Sequence, residues 1–124
     1  MKSVYLIDSV ILIDHLNGIK EATDWLLKNS ERSVISVISR AEILAGIDQI
    51  DLKSTRLFLN TFQCYSIDEK IADKAAELRK KFRWKLPDAF QAAFAELNKI
   101  SLVTRNTKDF RPEKHAFVFI PYTL

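Results

Sequence analysis

Short apolar runs of strand length alternate with helical periods along this chain, and no other feature restricts its fold as much. The runs "VYLID" (4–8), "SVISVIS" (33–39), "ISLVTRN" (100–106) and "AFVFIPY" (116–122) are rich in β-branched or aromatic residues, as strands are. Between them the period changes. Ile67, Ile71, Ala75, Leu78 and Phe82 recur every three or four residues, which draws one face of a helix. Phe90, Phe94 and Leu97 do the same on the next helix, and shorter helices are expected around 20–29, 39–48 and 52–61. Ser66 with Glu69 reads as a capping box, Pro87 as a first helical residue, and Asp51 as the cap of the 52–61 helix. Strands that alternate with helices imply a parallel sheet with crossover helices. The expectation is therefore one α/β domain over residues 1–124, with a central, mainly parallel sheet flanked by helices. In such sheets, binding sites lie beyond the carboxyl ends of the strands.

Composition permits this fold. Of 124 residues 48 % are hydrophobic, enough for a core, and 28 % are charged, enough for a soluble surface. Cys64 is the single cysteine, so no intramolecular disulfide can form; on its apolar stretch it reads as a buried thiol in a reducing compartment. No apolar run approaches the length of a membrane helix. "SVYLIDSVILI" resembles a signal peptide only until Asp8 interrupts it, so a cytoplasmic protein with no membrane partner is expected. A net charge of +3 identifies no partner by itself.

The acids are more informative. Asp8 follows the first strand, and Asp109 follows the strand "SLVT". Glu42 is expected in the first turn of a helix after "SVIS", and Asp88 at the head of the helix "LPDAFQAAFA". In a parallel sheet, strand ends and the following helix starts share one edge, so four carboxylates converge there. Two carboxylates about 4 Å apart repel by roughly 4 kcal/mol at an effective dielectric near 20. Such a group either holds protons or recruits a cation. Oxygen ligands without thiolates or paired imidazoles suit Mg²⁺ or Mn²⁺, as one or two ions. The chemistry this favours is phosphodiester hydrolysis by a metal-activated water. Each acid also has a structural reading. Asp8 and Asp109 could be loop residues, Ser39 and Glu42 form an S-x-x-E capping box, and Asp88 suits any helix N-terminus.

The segments "YLIDSVILIDHL", "ISRAEILAG" and "LPDAFQAAFAELNKISLVTRNTKDF" resemble, in order and spacing, the PIN domain, and most of all the VapC-type toxin ribonucleases of prokaryotic toxin–antitoxin pairs. The resemblance runs from residue 4 to about 110. It implies a three-layer α/β/α fold and a Mg²⁺- or Mn²⁺-dependent endoribonuclease. Asp8, Glu42 and Asp88 match the family's principal acids and Asp109 the fourth. Ser9, Thr104 and Asn106 match groups that support the acids or position water. It further implies a VapB-type antitoxin as partner, whose tail lies along the toxin groove, and a toxin homodimer. In one place the chain departs from the pattern: the family usually carries Asn two residues after the first acid, and here Val10 stands there.

The segment "RKKFRWK" places five basic residues and two aromatics just before Asp88. Arg79, Lys80, Lys81, Arg83 and Lys85 are expected on RNA phosphates, with Phe82 or Trp84 stacked on a base. The structural reading is a basic helix C-terminus with Phe82 on the core face. His15 and His115 are too far apart in sequence to form a zinc pattern. Asp14 is expected on the exposed side of the first helix, and Arg105 and Arg111 are expected to pair with acids. Two other functions fit parts of the sequence. An aspartate-nucleophile phosphatase would begin like "LIDSVILID", but needs a second Asp where Val10 stands. A PIN-like module that binds RNA or a partner without cutting fits the same residues.

Overall fold

The strands alternate their side chains between two cores, and that alternation sets the layers. The computed structural model describes residues 4–124. Its elements run β1 (Tyr5–Ile7), α1 (Ser9–Leu16), α2 (Lys20–Lys28), β2 (Ser33–Ser36), α3 (Val37–Ala45), α4 (Leu52–Leu59), β3 (Gln63–Tyr65), α5 (Glu69–Phe82), α6 (Leu86–Asn98), β4 (Ser101–Val103) and β5 (Val118–Phe119). The five strands pair in the order β3-β2-β1-β4-β5, every pair parallel. Leu6 lies level with Val34 on one side and Leu102 on the other. This row packs on Ile71, Ala75 and Leu78 of α5 and on Ala89, Ala92, Ala93 and Phe94 of α6. The next residues along, Ile7, Ile35 and Val103, point to the opposite face, because successive strand side chains alternate. There they meet Ile11 and Leu12 of α1, Leu26 of α2, Ile43 of α3 and Leu59 of α4. The result is the expected three layers, with the sheet fully parallel.

Helix starts bring three corrections. Strand β2 stops at Ser36, whose hydroxyl accepts the Ser39 N–H, so α3 begins at Val37 and not at 39. Ser39 and Glu42 therefore form no capping box, and Glu42 falls in the second helical turn. At α5 the cap is Asp68, which accepts the Ile71 N–H at 2.9 Å, in place of a Ser66–Glu69 box. Asp51 precedes α4 but makes no side-chain cap bond. Pro87 lies in the first turn of α6, directly after its first residue Leu86. Other departures follow from position. Leu97 is 45 % exposed, and Cys64 is exposed on edge strand β3, so neither joins the core.

The turn between α5 and α6 is tight. Arg83 ends α5 in the left-handed region at φ 59°. A non-glycine residue there costs about 1–2 kcal/mol. Two contacts offset it: Arg79 Nη1 donates to the Trp84 carbonyl at 2.6 Å, and the Trp84 ring is buried. The turn thereby sets Lys85 and Asp88 at the head of α6, on the edge where β1 and β4 end.

Candidate active site

Asp8 sits where β1 becomes α1. Its N–H donates to the Val103 carbonyl of β4 at 2.9 Å, which fixes its backbone. Its carboxylate is 4 % exposed, and both of its oxygens are bonded: Oδ1 accepts the Ser9 N–H at 2.9 Å and Oδ2 accepts the Thr104 hydroxyl at 2.7 Å. Burial raises its pKa, opposed by the Thr104 and Ser9 hydrogen bonds and reinforced by the Glu42 charge.

The remaining acids reach the same cleft from three other elements. Glu42 is exposed as a residue, yet its carboxyl turns inward and accepts the Ser9 hydroxyl at 3.0 Å. Partial desolvation raises its pKa against that hydrogen bond, with the Asp88 charge adding to the rise. Asp88, in the first turn of α6, is pushed from 3.8 to about 6 by desolvation first, then by the charges of Asp8 and Asp109, with Lys85 opposing. Asp109 is held by Asn106, whose Nδ2 donates to Asp109 Oδ2 at 3.1 Å. The Asn106 N–H in turn donates to Thr104 Oγ1 at 3.1 Å. Asp109, Asn106, Thr104 and Asp8 thus form one hydrogen-bonded chain along the cleft wall.

The four acids, with Ser9, Val10, Lys85 and the 105–109 loop, line a polar cleft of about 490 Å³. Among the described residues none of the four takes part in an ion pair. The donor set is entirely hard oxygen, which fits Mg²⁺ or Mn²⁺. Among the described residues no three His, Cys, Asp or Glu side chains stand close enough to form a ready-made cage. All four nonetheless line one cleft, and a small ion that keeps several of its waters needs few direct ligands.

Sequence reasoning missed the layer beneath this cleft. Gln91 is fully buried one helical turn past Asp88. Its Nε2 donates to Ser39 Oγ and its Oε1 accepts from Ser36 Oγ, both at 2.6 Å. Ser39 Oγ donates onward to the Ile7 carbonyl at 3.3 Å. A side-chain hydrogen bond from Gln91 also lowers the Asp8 pKa. An amide amid the alanines of "DAFQAAFA" was the available signal.

The expectation for Asp14 was wrong. It is 4 % exposed, and Arg105 Nη2 donates to its Oδ1 at 2.8 Å while Arg105 Nε and the Tyr122 hydroxyl donate to Oδ2. Arg111 pairs with Glu113, as expected of it. The basic segment divides. Lys85 lines the acid cleft, Arg79 holds the Trp84 carbonyl, and Arg83 is exposed at the turn. Lys80 and Lys81 line a separate cavity. Trp84 is 4 % exposed and cannot offer a face to a base; its ring packs on Phe82, Phe110 and His115. No described helix is long and apolar enough to cross a membrane.

Comparison with known proteins shows the family. Residues 5–112 match the PIN domain family. Over 112 residues the chain is 31 % identical to Ribonuclease VapC10 of Mycobacterium tuberculosis, covering 85 % of this chain and 84 % of that protein. A chain in a toxin–antitoxin complex from Klebsiella pneumoniae is 36 % identical and superposes with a TM-score of 0.87, covering 97 % of this chain and 99 % of that one. FitAcB from Neisseria gonorrhoeae superposes with a TM-score of 0.78 at 22 % identity, over 98 % of this chain and 100 % of that one, which is a likeness of fold.

Proposed function

The chain belongs to the PIN domain family, with VapC-type ribonucleases among its relatives, and from that premise we propose that it is the endoribonuclease toxin of a toxin–antitoxin pair. The observation that carries this reading is the cleft lined by Asp8, Glu42, Asp88 and Asp109, none of which takes part in an ion pair among the described residues. They are the ligands for one or two Mg²⁺ or Mn²⁺ ions. The metal, when bound, polarises the scissile phosphate, activates water and neutralises the leaving oxygen.

The protein's own part is to fix these oxygens in advance. Thr104 and the Ser9 N–H hold the Asp8 carboxylate in one orientation, the Ser9 hydroxyl aims Glu42, and Asn106 aims Asp109. Because these supports are already in place, little reorganisation is needed when charge develops. Lys85, on the cleft wall, meets the substrate phosphate next to the cut. Arg83 is exposed at the turn before Lys85, whereas Lys80 and Lys81 line the separate cavity and Arg79 holds the Trp84 carbonyl.

The antitoxin is a VapB-type protein, and the toxin pairs with itself as a homodimer. Exposed Leu27, Ile50 and Leu57 supply apolar surface for such contacts. Val10 on the cleft wall favours a second reading, a PIN-like module that binds RNA without cutting. Incubating bulk RNA with the protein separates the two. Cleavage is expected only with Mg²⁺ or Mn²⁺, is stopped by chelation, and falls at least about 10³-fold in Asp8→Asn. Binding with no metal-dependent cleavage would leave the non-cutting module in its place.

A further inference from the structure

A second cavity, of about 870 Å³, opens between α5, the end of α6 and the 114–117 segment. It lies at the start of β4, whereas the acid cleft lies beyond that strand's end. Its walls include apolar side chains, Leu78, Phe82, Ile100 and Phe117. Around them stand Lys74, Lys80, Lys81, Lys99 and Lys114, against only Glu77 and Glu96. Lys74 approaches Glu96 at 3.7 Å, and the Lys81 ammonium lies over the Phe82 ring. Lys80, Lys99 and Lys114 take part in no ion pair among the described residues. The Glu113 charge also acts on Lys114, but three ammonium groups without an ion pair around aromatic walls suit an anion that also carries flat apolar faces.

Two chain segments and one side chain link the two cavities. The chain that gives Lys80–Phe82 to this one gives Lys85 to the acid cleft, and the chain that gives Lys114–Phe117 gives Lys108 and Asp109. Trp84 stands between them: its ring stacks on Phe82 at 4.6 Å and its Nε1 donates to the Asp109 carbonyl at 3.0 Å. A strand of several nucleotides seated at the acids can therefore run past Trp84 to the lysine-rimmed cavity. We propose that this cavity is an exosite for single-stranded RNA, holding nucleotides that flank the cut. Their phosphates lie on Lys80, Lys99 and Lys114, and a base stacks on Phe117. This inference rests on the nuclease reading for the identity of the anion. A single strand is required, since a duplex offers no unstacked base to an aromatic wall. An acidic peptide would satisfy the lysines as well, so competition by a peptide is an outcome of the test.

The test is fluorescence anisotropy on the whole chain without divalent ions, using a labelled pyrimidine RNA of roughly 16 nucleotides and its four-nucleotide counterpart. Lys99→Glu with Lys114→Glu is expected to weaken the long RNA about tenfold, so that its preference over the short one falls by that factor. The slope of log Kd against log salt should flatten by roughly 1.4, about 0.7 for each phosphate that is no longer neutralised. Phe117→Ala should weaken the long RNA about fivefold or more, and Lys99→Gln with Lys114→Gln gives a milder version of the charge reversal. Thermal melts confirm that each variant is folded. Unchanged long-RNA affinity and salt slope in all variants would overturn the proposal, as would displacement of the long RNA by a poly-glutamate peptide at lower concentration than unlabelled RNA. Mg²⁺-dependent cleavage is read separately. A protein that binds long RNA through these lysines but never cuts keeps the exosite and loses the nuclease reading. One that cuts while the variants change nothing keeps the nuclease and loses the exosite.

Discussion

Asp8 and Asp14 are six residues apart, equally buried at 4 % exposure, and electrostatic opposites. Asp14 is gripped by the Arg105 guanidinium and the Tyr122 hydroxyl, which hold its pKa below the usual 3.8. Asp8 has a hydroxyl and a backbone N–H but no cation, and its pKa is raised. Neighbouring residues serve the two: Thr104 bonds Asp8 and Arg105 bonds Asp14. A buried carboxylate that comes with its own counter-ion is a structural joint. One that is buried, oriented and in no ion pair with the chain fits, on the proposed reading, a counter-ion from outside. The contrast separates site from scaffold where residue type and burial do not.

The sharpest way to break the contrast is to neutralise each acid in turn. Asp8→Asn should abolish cleavage while leaving the melting temperature unchanged or higher, since a carboxylate that resists ionisation is removed. Asp14→Ala should instead destabilise the protein by about 2–4 kcal/mol, because Arg105 and Tyr122 lose their acceptor. Its residual activity should follow the folded fraction, measured by urea unfolding beside the cleavage assay. Equal loss of stability in both variants would erase the distinction. Thr104→Val tests the support below Asp8 and should reduce metal affinity or cleavage about 10–100-fold, read by titrating Mn²⁺ against activity.

A smaller effect comes from pH. The Asp88 pKa is raised from 3.8 to about 6, so between those values the folded state keeps a proton that the unfolded chain has released. Stability of the metal-free protein therefore falls as pH rises through that window, by about 1–2 kcal/mol after solvent screening. Asp14 works the other way: its contribution is present above 3.8 and is lost as pH falls through its lowered pKa. Melts from pH 4 to pH 7 should show the decline, and Asp88→Asn should flatten it. Tyr122→Phe is the mildest change, removing one hydrogen bond to Asp14 for about 1 kcal/mol with metal-dependent cleavage retained.

The layers were legible because β1, β2 and β4 lie inside the sheet and carry apolar side chains toward both helical layers. Strand β3 was not. It is an edge strand of three exposed residues, Gln63 to Tyr65, with neither the apolar run nor the length to announce itself. The same edge position exposes Cys64. The acids could be placed on one side of the sheet from strand order alone. The partner of Asp14 could not, since Arg105 is 91 residues away and nothing local marks the pair. The start of α3 is ambiguous in sequence because both Ser36 and Ser39 can cap a helix, and only the end of β2 decides between them. Gln91 escapes notice because a polar residue within an alanine-rich face reads as exposed until its two serine partners are seen.

The central place of β1 in the sheet governs when the candidate site can assemble during synthesis. The first strand synthesised lies between β2 and β4, and the hydroxyl that orients Asp8 arrives 96 residues later with Thr104. A ribosome must release nearly all of the PIN segment before the four acids can assemble. The nascent chain therefore lacks the assembled cleft for most of its translation, and a product truncated before β4 lacks the Thr104 hydroxyl that orients Asp8.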